Sequence, residues 1–341
     1  MTKQTQDSVL TIILNYRTAE MTLQSAEAAL HEMQDVPGEI VIVDNDSGDG
    51  SFDHLLMAAT DRSWLDDGRV RVLQSGHNGG FGAGNNFGMG TKLSDGSPPA
   101  FYYLLNSDAF PQPGAIRKLR DFLQDSPGAG LVGSYVRGVD GEPHRTAFRF
   151  PSIAGEFEAA ARTGIVSRLL HHTIIAMEMP KAEVQVDWTA GASLMMRRQM
   201  IDEIGGFDET FFLYFEETDL CRRAAQAGWR THYLPDSEVA HVGSASTGMK
   251  TWAQAPGYWF DSRQHYFTKT HGRTYAATAT LARLAGGLIW QLRRLIQGKP
   301  QRDPDHFNRD LIRHSLRAGH KSRPRHTIET RLPPPVPEEP K

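Results

Sequence analysis

The chain has 341 residues, 39% of them hydrophobic and 23% charged, so it can bury a sizeable core and is not disordered as a whole. Its single cysteine, Cys221, rules out an intramolecular disulfide framework or a zinc site of paired cysteines, and fits a reducing compartment. The net charge of −3 divides unevenly: residues 1–267 carry 22 Lys and Arg against 34 Asp and Glu, and residues 268–331 carry 14 against 4.

Residues 1–8 are polar, lack the layout of a secretory signal, and are expected to be disordered. Residues 9–14 read as a buried strand ended by Asn15, Tyr16 and Arg17. Helical spacing follows over 18–33, with Leu23, Ala26 and Leu30 on one side. Three more apolar strands are expected at 40–43, 70–73 and 101–105. The first of these is closed by Asp44-Asn45-Asp46-Ser47-Gly48, and the last by Asn106-Ser107-Asp108. Apolar strands separated by helical segments predict a parallel sheet covered on both faces, with ligands beyond the carboxyl ends of its strands. Every polar cluster just named falls at such an end.

The second half is more mixed, and residues 134–185 suggest only a few strands and a helix or two. A strand is expected over 186–196, then a helix over 198–204 with the turn Gly205-Gly206. A further helix is expected over 217–227, with Leu220, Ala224 and Ala227 inward and Gly228 just past its end. Residues 259–297 are helical in pattern, and 332–341 form a Pro/Glu-rich tail expected to be disordered. Within the helical stretch Leu281, Leu284, Leu288, Leu292 and Leu295 make an apolar stripe widened by Ile289, Trp290 and Ile296. It is too interrupted by charge to span a bilayer, but it suits either the headgroup layer of an anionic membrane or an interior or oligomer contact.

Three features carry possible chemistry. The glycine-rich stretch 76–86 follows the third strand, where neither a dinucleotide fingerprint nor a P-loop belongs, so it is either a flexible loop or a close backbone approach to a ligand. Asp44 and Asp108 emerge at strand ends, where a carboxylate accepts from a nucleobase or ligates a hard cation, or merely caps a helix. Glu216, Glu217 and Asp219 follow an aromatic run and either complement a helix dipole or supply a general base with a raised pKa. His241 by itself reads more readily as a core histidine than as a metal ligand.

Together these pieces resemble a family 2 glycosyltransferase of the inverting, GT-A type, in the manner of its bacterial rhamnosyltransferase-like branch. The resemblance runs over residues 9–272. It rests on Ile13-Leu14-Asn15-Tyr16, on 43–47, on Asn78-Gly79-Gly80-Phe81-Gly82-Ala83-Gly84-Asn85, on 105–108, on Gly191-Ala192, on 205–209, on 211–220, and on His241 with Ser244 and Ser246. It implies an α/β GT-A fold, with a mostly parallel nucleotide-binding sheet flanked by helices and a helical C-terminal extension. Asn15, Tyr16, Asp44 and Asn45 would form the nucleoside pocket, with Asp44 reading the imide edge of uracil or thymine. Asn78, Gly80, Phe81 and Asn85 would contact the donor, as would Asn106, Ser107, Gly191 and Ala192. Asp108 and His241 would hold Mg²⁺ or Mn²⁺. The base would be Glu217 or its neighbour Glu216, supported by Asp219.

The organisation expected is a catalytic domain over 9–267, divided into a nucleotide-sugar half (9–110) and an acceptor half (111–267). A basic helical region then covers 268–331. The activity implied is transfer of a sugar, rhamnose first, from a dTDP- or UDP-sugar to a glycan or polyprenyl-diphosphate-linked saccharide in cell-surface polysaccharide synthesis. UDP-galactofuranose or a UDP-hexose is the alternative donor, and a nucleotide-sugar-binding protein without turnover the alternative class. The chain is expected in the cytoplasm, peripheral on the inner face of the plasma membrane, with a homo-oligomer as a further expectation; no nucleic-acid-binding module is recognisable in its basic block.

Overall fold

The computed structural model describes residues 7–243, 253–301 and 303–318. Ser244, Ser246 and the 332–341 tail lie outside the described residues. The chain begins with β1 (Val9–Asn15), α1 (Ala19–Glu32), β2 (Gly38–Asp44), α2 (Ser51–Asp61), β3 (Val70–Gln74), α3 (Gly80–Met89) and β4 (Phe101–Asn106). β3, β2, β1 and β4 lie side by side in that order, all parallel. Their β-branched and leucine runs suit burial on both faces: only Leu14 in β1 and Gly38 in β2 are not buried. The register sets Asn15 beside Asp44 and Leu14 beside Asn106, so the polar ends of three strands meet at one edge. Order reaches further toward the N-terminus than expected, because the Ser8 carbonyl accepts from the amides of Ala100 and Phe101.

The second half adds β5 (Ala109–Pro111), α4 (Ala115–Asp125), β6 (Ala129–Arg137), β7 (Ala147–Phe148), α5 (Ile153–Ala161) and α6 (Gly164–Leu169). It continues with β8 (Val184–Val186), β9 (Trp188–Thr189), β10 (Ser193–Arg197), α7 (Arg198–Ile204), α8 (Glu216–Gln226) and β11 (Arg230–His241). The sheet extends from β4 through β10, β6, β11 and β5, and β10 runs antiparallel to both neighbours. One core cluster packs α1, α2 and α4 on one face of the sheet, and a second packs α7 and α8 on the other. The strand expected over 186–196 is divided among β8, β9 and β10, and in the turn between the last two the Ala192 carbonyl accepts from the Asn106 amide at 3.0 Å. Ala227, expected inward, is exposed, because α8 has already ended at Gln226.

Residues 257–318 fold into α9 (Gly257–His271), α10 (Arg273–Gln297) and α11 (Phe307–Ala318). The helical stretch breaks at Gly272, whose φ of +86° suits glycine. A division after residue 267 falls inside α9. α10 lies against α5 so closely that a Cβ on Gly286 would sit 2.4 Å from the Phe157 carbonyl oxygen. Arg263, 1% exposed, and Arg283 converge on Glu156 at 2.7 and 3.4 Å, tying α9 and α10 to α5. Burial pushes the Glu156 carboxyl up, but the two guanidinium groups hold it below its ordinary range.

Candidate active site

The residues expected to receive the nucleoside gather where β1 and β2 end. The Asp44 carboxylate, 1% exposed, accepts from Asn15 Nδ2 at 2.7 Å, from Ser47 Oγ at 2.6 Å and from the Ser47 amide at 3.1 Å. A carboxylate offers about four acceptor positions, so one remains for a ligand N–H. Thr22 Oγ1 donates to Asn15 Oδ1 at 2.8 Å and fixes which way that amide points. Tyr16, half-buried beside this cluster, is covered by the Arg17 guanidinium 5.1 Å from its ring. Ser47 had no marked role in the sequence reading, yet it is the residue that locks Asp44 in place.

Only residues 76–79 of the glycine-rich stretch form a loop, with Gly76 and His77 exposed; from Gly80 onward it is helix α3. Glycine is a poor helix former, so packing must decide the matter. A Cβ would come within 2.4 Å of the Leu14 side chain at Gly84, within 2.6 Å of Ile12 at Gly88, and within 1.8 Å of the Phe212 carbonyl at Gly80. The bare face lets α3 lie directly on β1 and touch the backbone ahead of the acidic residues. Asn45 Nδ2 donates to Asn78 Oδ1 and to the Gly80 carbonyl, at 3.1 and 3.2 Å. Asn85 is buried and donates to the Phe81 carbonyl at 2.9 Å, which makes it part of the helix rather than of an open donor loop.

Asp108 and His241 meet at the end of β4 and β11. His241 Nε2 lies 2.9 Å from Asp108 Oδ1 and 3.3 Å from Asn106 Nδ2, and the Gly243 amide donates to Asp108 Oδ2 at 3.0 Å. Burial raises the Asp108 carboxyl, but His241 and the Gly243 amide outweigh it and hold the group below its ordinary value. His241 is therefore paired with an acid in a polar cleft, not sealed in a core. His144 stands edge-on to it, ring centroids 5.9 Å apart. Ser107 is buried and within 3.1 Å of Thr18 Oγ1, which leaves it bracing α1.

The acids stand at the first turn of α8, preceded by Tyr214 and Phe215, both with φ of +71°. Two successive left-handed non-glycine residues cost about 1–3 kcal/mol each, strain typical of functional sites. Glu216 is buried, and burial followed by the charge of Glu217 pushes its carboxyl well above the ordinary range. Burial also raises Glu217, moderated by a hydrogen bond from the Gly191 amide. The Oε2 atoms of both have no hydrogen-bond partner. Glu217 lies over Gly191, beside the Phe81 ring: a Cβ on Gly191 would be 3.0 Å from that ring and 3.9 Å from Glu217 Oε1. Asp219 is differently placed. It is held by Arg223 Nε and Lys269 Nζ, each at 2.8 Å, and Lys269 also reaches Asp208 at 2.8 Å.

The sequence profile described as "Glycosyltransferase like family 2" matches residues 9–275. The chain belongs to this glycosyltransferase family. The chain is 32% identical over 228 residues to the N-acetylglucosaminyl-diphospho-decaprenol L-rhamnosyltransferase of Mycobacterium tuberculosis, covering 65% of this chain and 72% of that one. Its fold is that of GalNAc-T7 with UDP, GalNAc and Mn²⁺ (TM-score 0.56, 13% identity), aligning over 91% of this chain and 54% of the other. It also matches the mannosyltransferase PcManGT of Pyrobaculum calidifontis with GDP-Man and Mn²⁺ (TM-score 0.53, 15% identity), over 92% and 87% of the two chains. The protein is thus a rhamnosyltransferase-like family 2 glycosyltransferase with a GT-A fold.

In this glycosyltransferase the turn at 190–192 joins the two halves of the site. Gly191 contacts Glu217, Ala192 holds Asn106, and Asn106 reaches His241, itself on Asp108. The Asp108–His241 pair suits a hard divalent cation: two ligands at right angles about 2.1 Å from one octahedral ion lie about 3 Å apart. Among the described residues no three His, Cys, Asp or Glu side chains gather to hold a metal by themselves. Oxygens from a bound diphosphate would complete such a shell. The Gly243 amide and the Lys269–Asp208 clamp were invisible in the sequence, because neither follows a residue pattern.

Proposed function

We propose that this glycosyltransferase moves rhamnose from dTDP-rhamnose to a hydroxyl of a polyprenyl-diphosphate-linked N-acetylglucosamine, with inversion at the anomeric carbon. The observation that carries this reading is the Glu216–Glu217 pair, the first buried and the second half-buried, joined through Gly191, Ala192 and Asn106 to the Asp108–His241 pair. The likeness to the mycobacterial rhamnosyltransferase supports the donor and acceptor.

Glu217 is the base. It takes the proton of the acceptor hydroxyl as that oxygen attacks the anomeric carbon, and the bond from that carbon to the nucleoside diphosphate breaks. One displacement inverts the centre, so no nucleophilic carboxylate is required. A carboxyl raised above its ordinary range is a stronger base for this task than a solvated one. Glu216 stays protonated beside it, which avoids two adjacent buried negative charges. Asp108 and His241 would hold Mg²⁺ or Mn²⁺, with Asn106 Nδ2 beside the His241 ring. A bound cation there supplies Lewis-acid neutralisation of charge on the departing diphosphate. Asn15, Tyr16, Asp44 and Asn45 receive the nucleoside, with Asn78, Gly80 and Phe81 beside them. Asp219 is a positioning residue, keeping α8 against α9 through Lys269.

A donor panel decides the sugar. With dTDP-rhamnose, UDP-galactofuranose and UDP-hexoses offered with a lipid-linked N-acetylglucosamine analogue, product is expected from dTDP-rhamnose. Turnover only with a UDP-sugar would overturn the rhamnose assignment. Asp44→Ala is expected to weaken nucleoside diphosphate binding by about 1.5–3 kcal/mol, read by calorimetry. Because it also releases Asn15 and Ser47, the same variant should melt at a lower temperature than the parent. Unchanged affinity would remove Asp44 from the pocket.

A further inference from the structure

α10 has two unlike faces. Its inner face, with Ala276, Ala279, Gly286, Gly287 and Trp290, is buried. Trp290 is 4% exposed, beneath the Arg162 guanidinium at 5.5 Å, and Leu284 packs beside Phe260 and Leu311, so neither belongs to an outer stripe. On the outer face Leu281, Leu288, Leu292, Leu295 and Ile296 are 54–84% exposed. No exposed residue from 277 to 296 is charged. At 1.5 Å per residue the exposed apolar residues from 281 to 296 make a strip about 24 Å long, with Arg294 half-exposed at its edge. α6 widens it. Arg293 Nη1 donates to the Arg162 carbonyl at 2.8 Å and to Thr163 Oγ1 at 2.7 Å, bringing the end of α10 to the start of α6. Ile165 and Leu169 of α6 are 72% and 71% exposed.

Soluble monomers rarely leave so continuous an apolar surface uncovered. Charge selects what covers it. Arg168 and Lys299 are exposed and Arg294 half-exposed around the strip, and residues 268–331 hold 14 cations against 4 acids. Nearby Asp303 is already paired with Arg162 at 2.6 Å, and Asp310 is buried. Two copies meeting through this face would set cation against cation. An anionic surface is complementary, and no helix among the described residues is long and apolar enough to cross a membrane.

We propose that the outer face of α10, with Ile165 and Leu169 of α6, seats in the headgroup–acyl boundary of a bilayer containing anionic lipid. The leucines enter the boundary, and Arg168, Arg294 and Lys299 meet lipid phosphates at its rim. Membrane seating does not depend on which sugar is transferred, and it would bring the proposed catalyst to a lipid-linked acceptor.

The full chain is tested by co-sedimentation with vesicles of phosphatidylglycerol and phosphatidylcholine, and with vesicles of phosphatidylcholine alone. Binding to the anionic vesicles is expected at low salt and should weaken as salt rises. Leu288→Gln with Leu292→Gln should lower binding by about tenfold or more. Lys299→Gln should lower it about fivefold. Both variants should keep the parent's melting temperature and nucleotide affinity, since these side chains face away from the fold and the site. A parent that fails to sediment with anionic vesicles overturns the proposal, as does a leucine variant that sediments as well as the parent. So does a parent that is dimeric, loses its dimer with the leucine pair and ignores vesicles, because a second copy then owns the face. Vesicle binding without any glycosyl transfer would instead count against the proposed function alone.

Discussion

Glu217→Gln is expected to retain nucleotide binding and lose about two to four orders of magnitude in turnover, because it keeps the shape of the side chain and removes its basicity. The comparison that gives this result its meaning is Glu216→Gln, which should stay active. Glutamine mimics the protonated acid that burial and the neighbouring Glu217 charge impose on Glu216. The pH dependence follows from the direction of the shifts. A base whose pKa is raised is protonated over a wider range, so the rate should climb with pH as Glu217 loses its proton. For stability the sign is opposite. A raised pKa in the folded state stabilises the fold fully below the ordinary glutamate range, and that contribution is lost as pH rises through the folded-state value. Glu216→Gln should therefore melt higher than the parent at alkaline pH, with the gap closing in acid. Turnover lost in Glu216→Gln and kept in Glu217→Gln would exchange their roles.

Asp108→Ala should abolish transfer, and so should removal of divalent cations from the parent with EDTA, with activity returning on addition of Mg²⁺ or Mn²⁺. The carboxylate is held at two points, by the His241 ring and by the Gly243 amide, so its loss also frees the end of β11. A nucleotide-binding measurement separates the two effects. With the metal present the parent should bind nucleoside diphosphate more tightly than without it, and Asp108→Ala should not distinguish the two conditions. Full turnover in EDTA would remove the cation from the reaction.

The parts of this site that follow from chain-local rules were legible in the sequence. Apolar strands ending in Asn15, Asp44 and Asn106 announced both a parallel sheet and the edge where a ligand would sit, because strand period and strand ends are local properties. α8 and its inward Leu220 and Ala224 were equally plain. α3 was not, since glycine-rich sequence argues against helix and only the absence of side chains facing Leu14, Ile12 and Phe212 makes helix the better packing. His241 read as a core residue because its partner lies 133 positions away. The split of the outer and inner faces of α10 was hidden for the same reason: the leucine spacing is regular, and only the position of α5 and Phe260 decides which leucines are covered. The raised carboxyls at 216 and 217 depend on burial, which adjacency in sequence does not convey.

The bare face of α3 has one more consequence. Gly84 and Gly88 face the side chains of Leu14 and Ile12, but Gly80 meets the Phe212 carbonyl backbone to backbone, so at that point the span between the Asn45–Asn78 contact and the loop carrying Phe212 is set by two main chains in contact rather than by side chains that can repack. Such a spacer cannot be lengthened or shortened by changing residues in place. Attempts to broaden the range of sugars accepted by trading pocket side chains will alter the walls of the cleft but not its width along this axis. Changing that width would take insertion or deletion in the 76–80 segment, with the helix reseated on β1 as a unit.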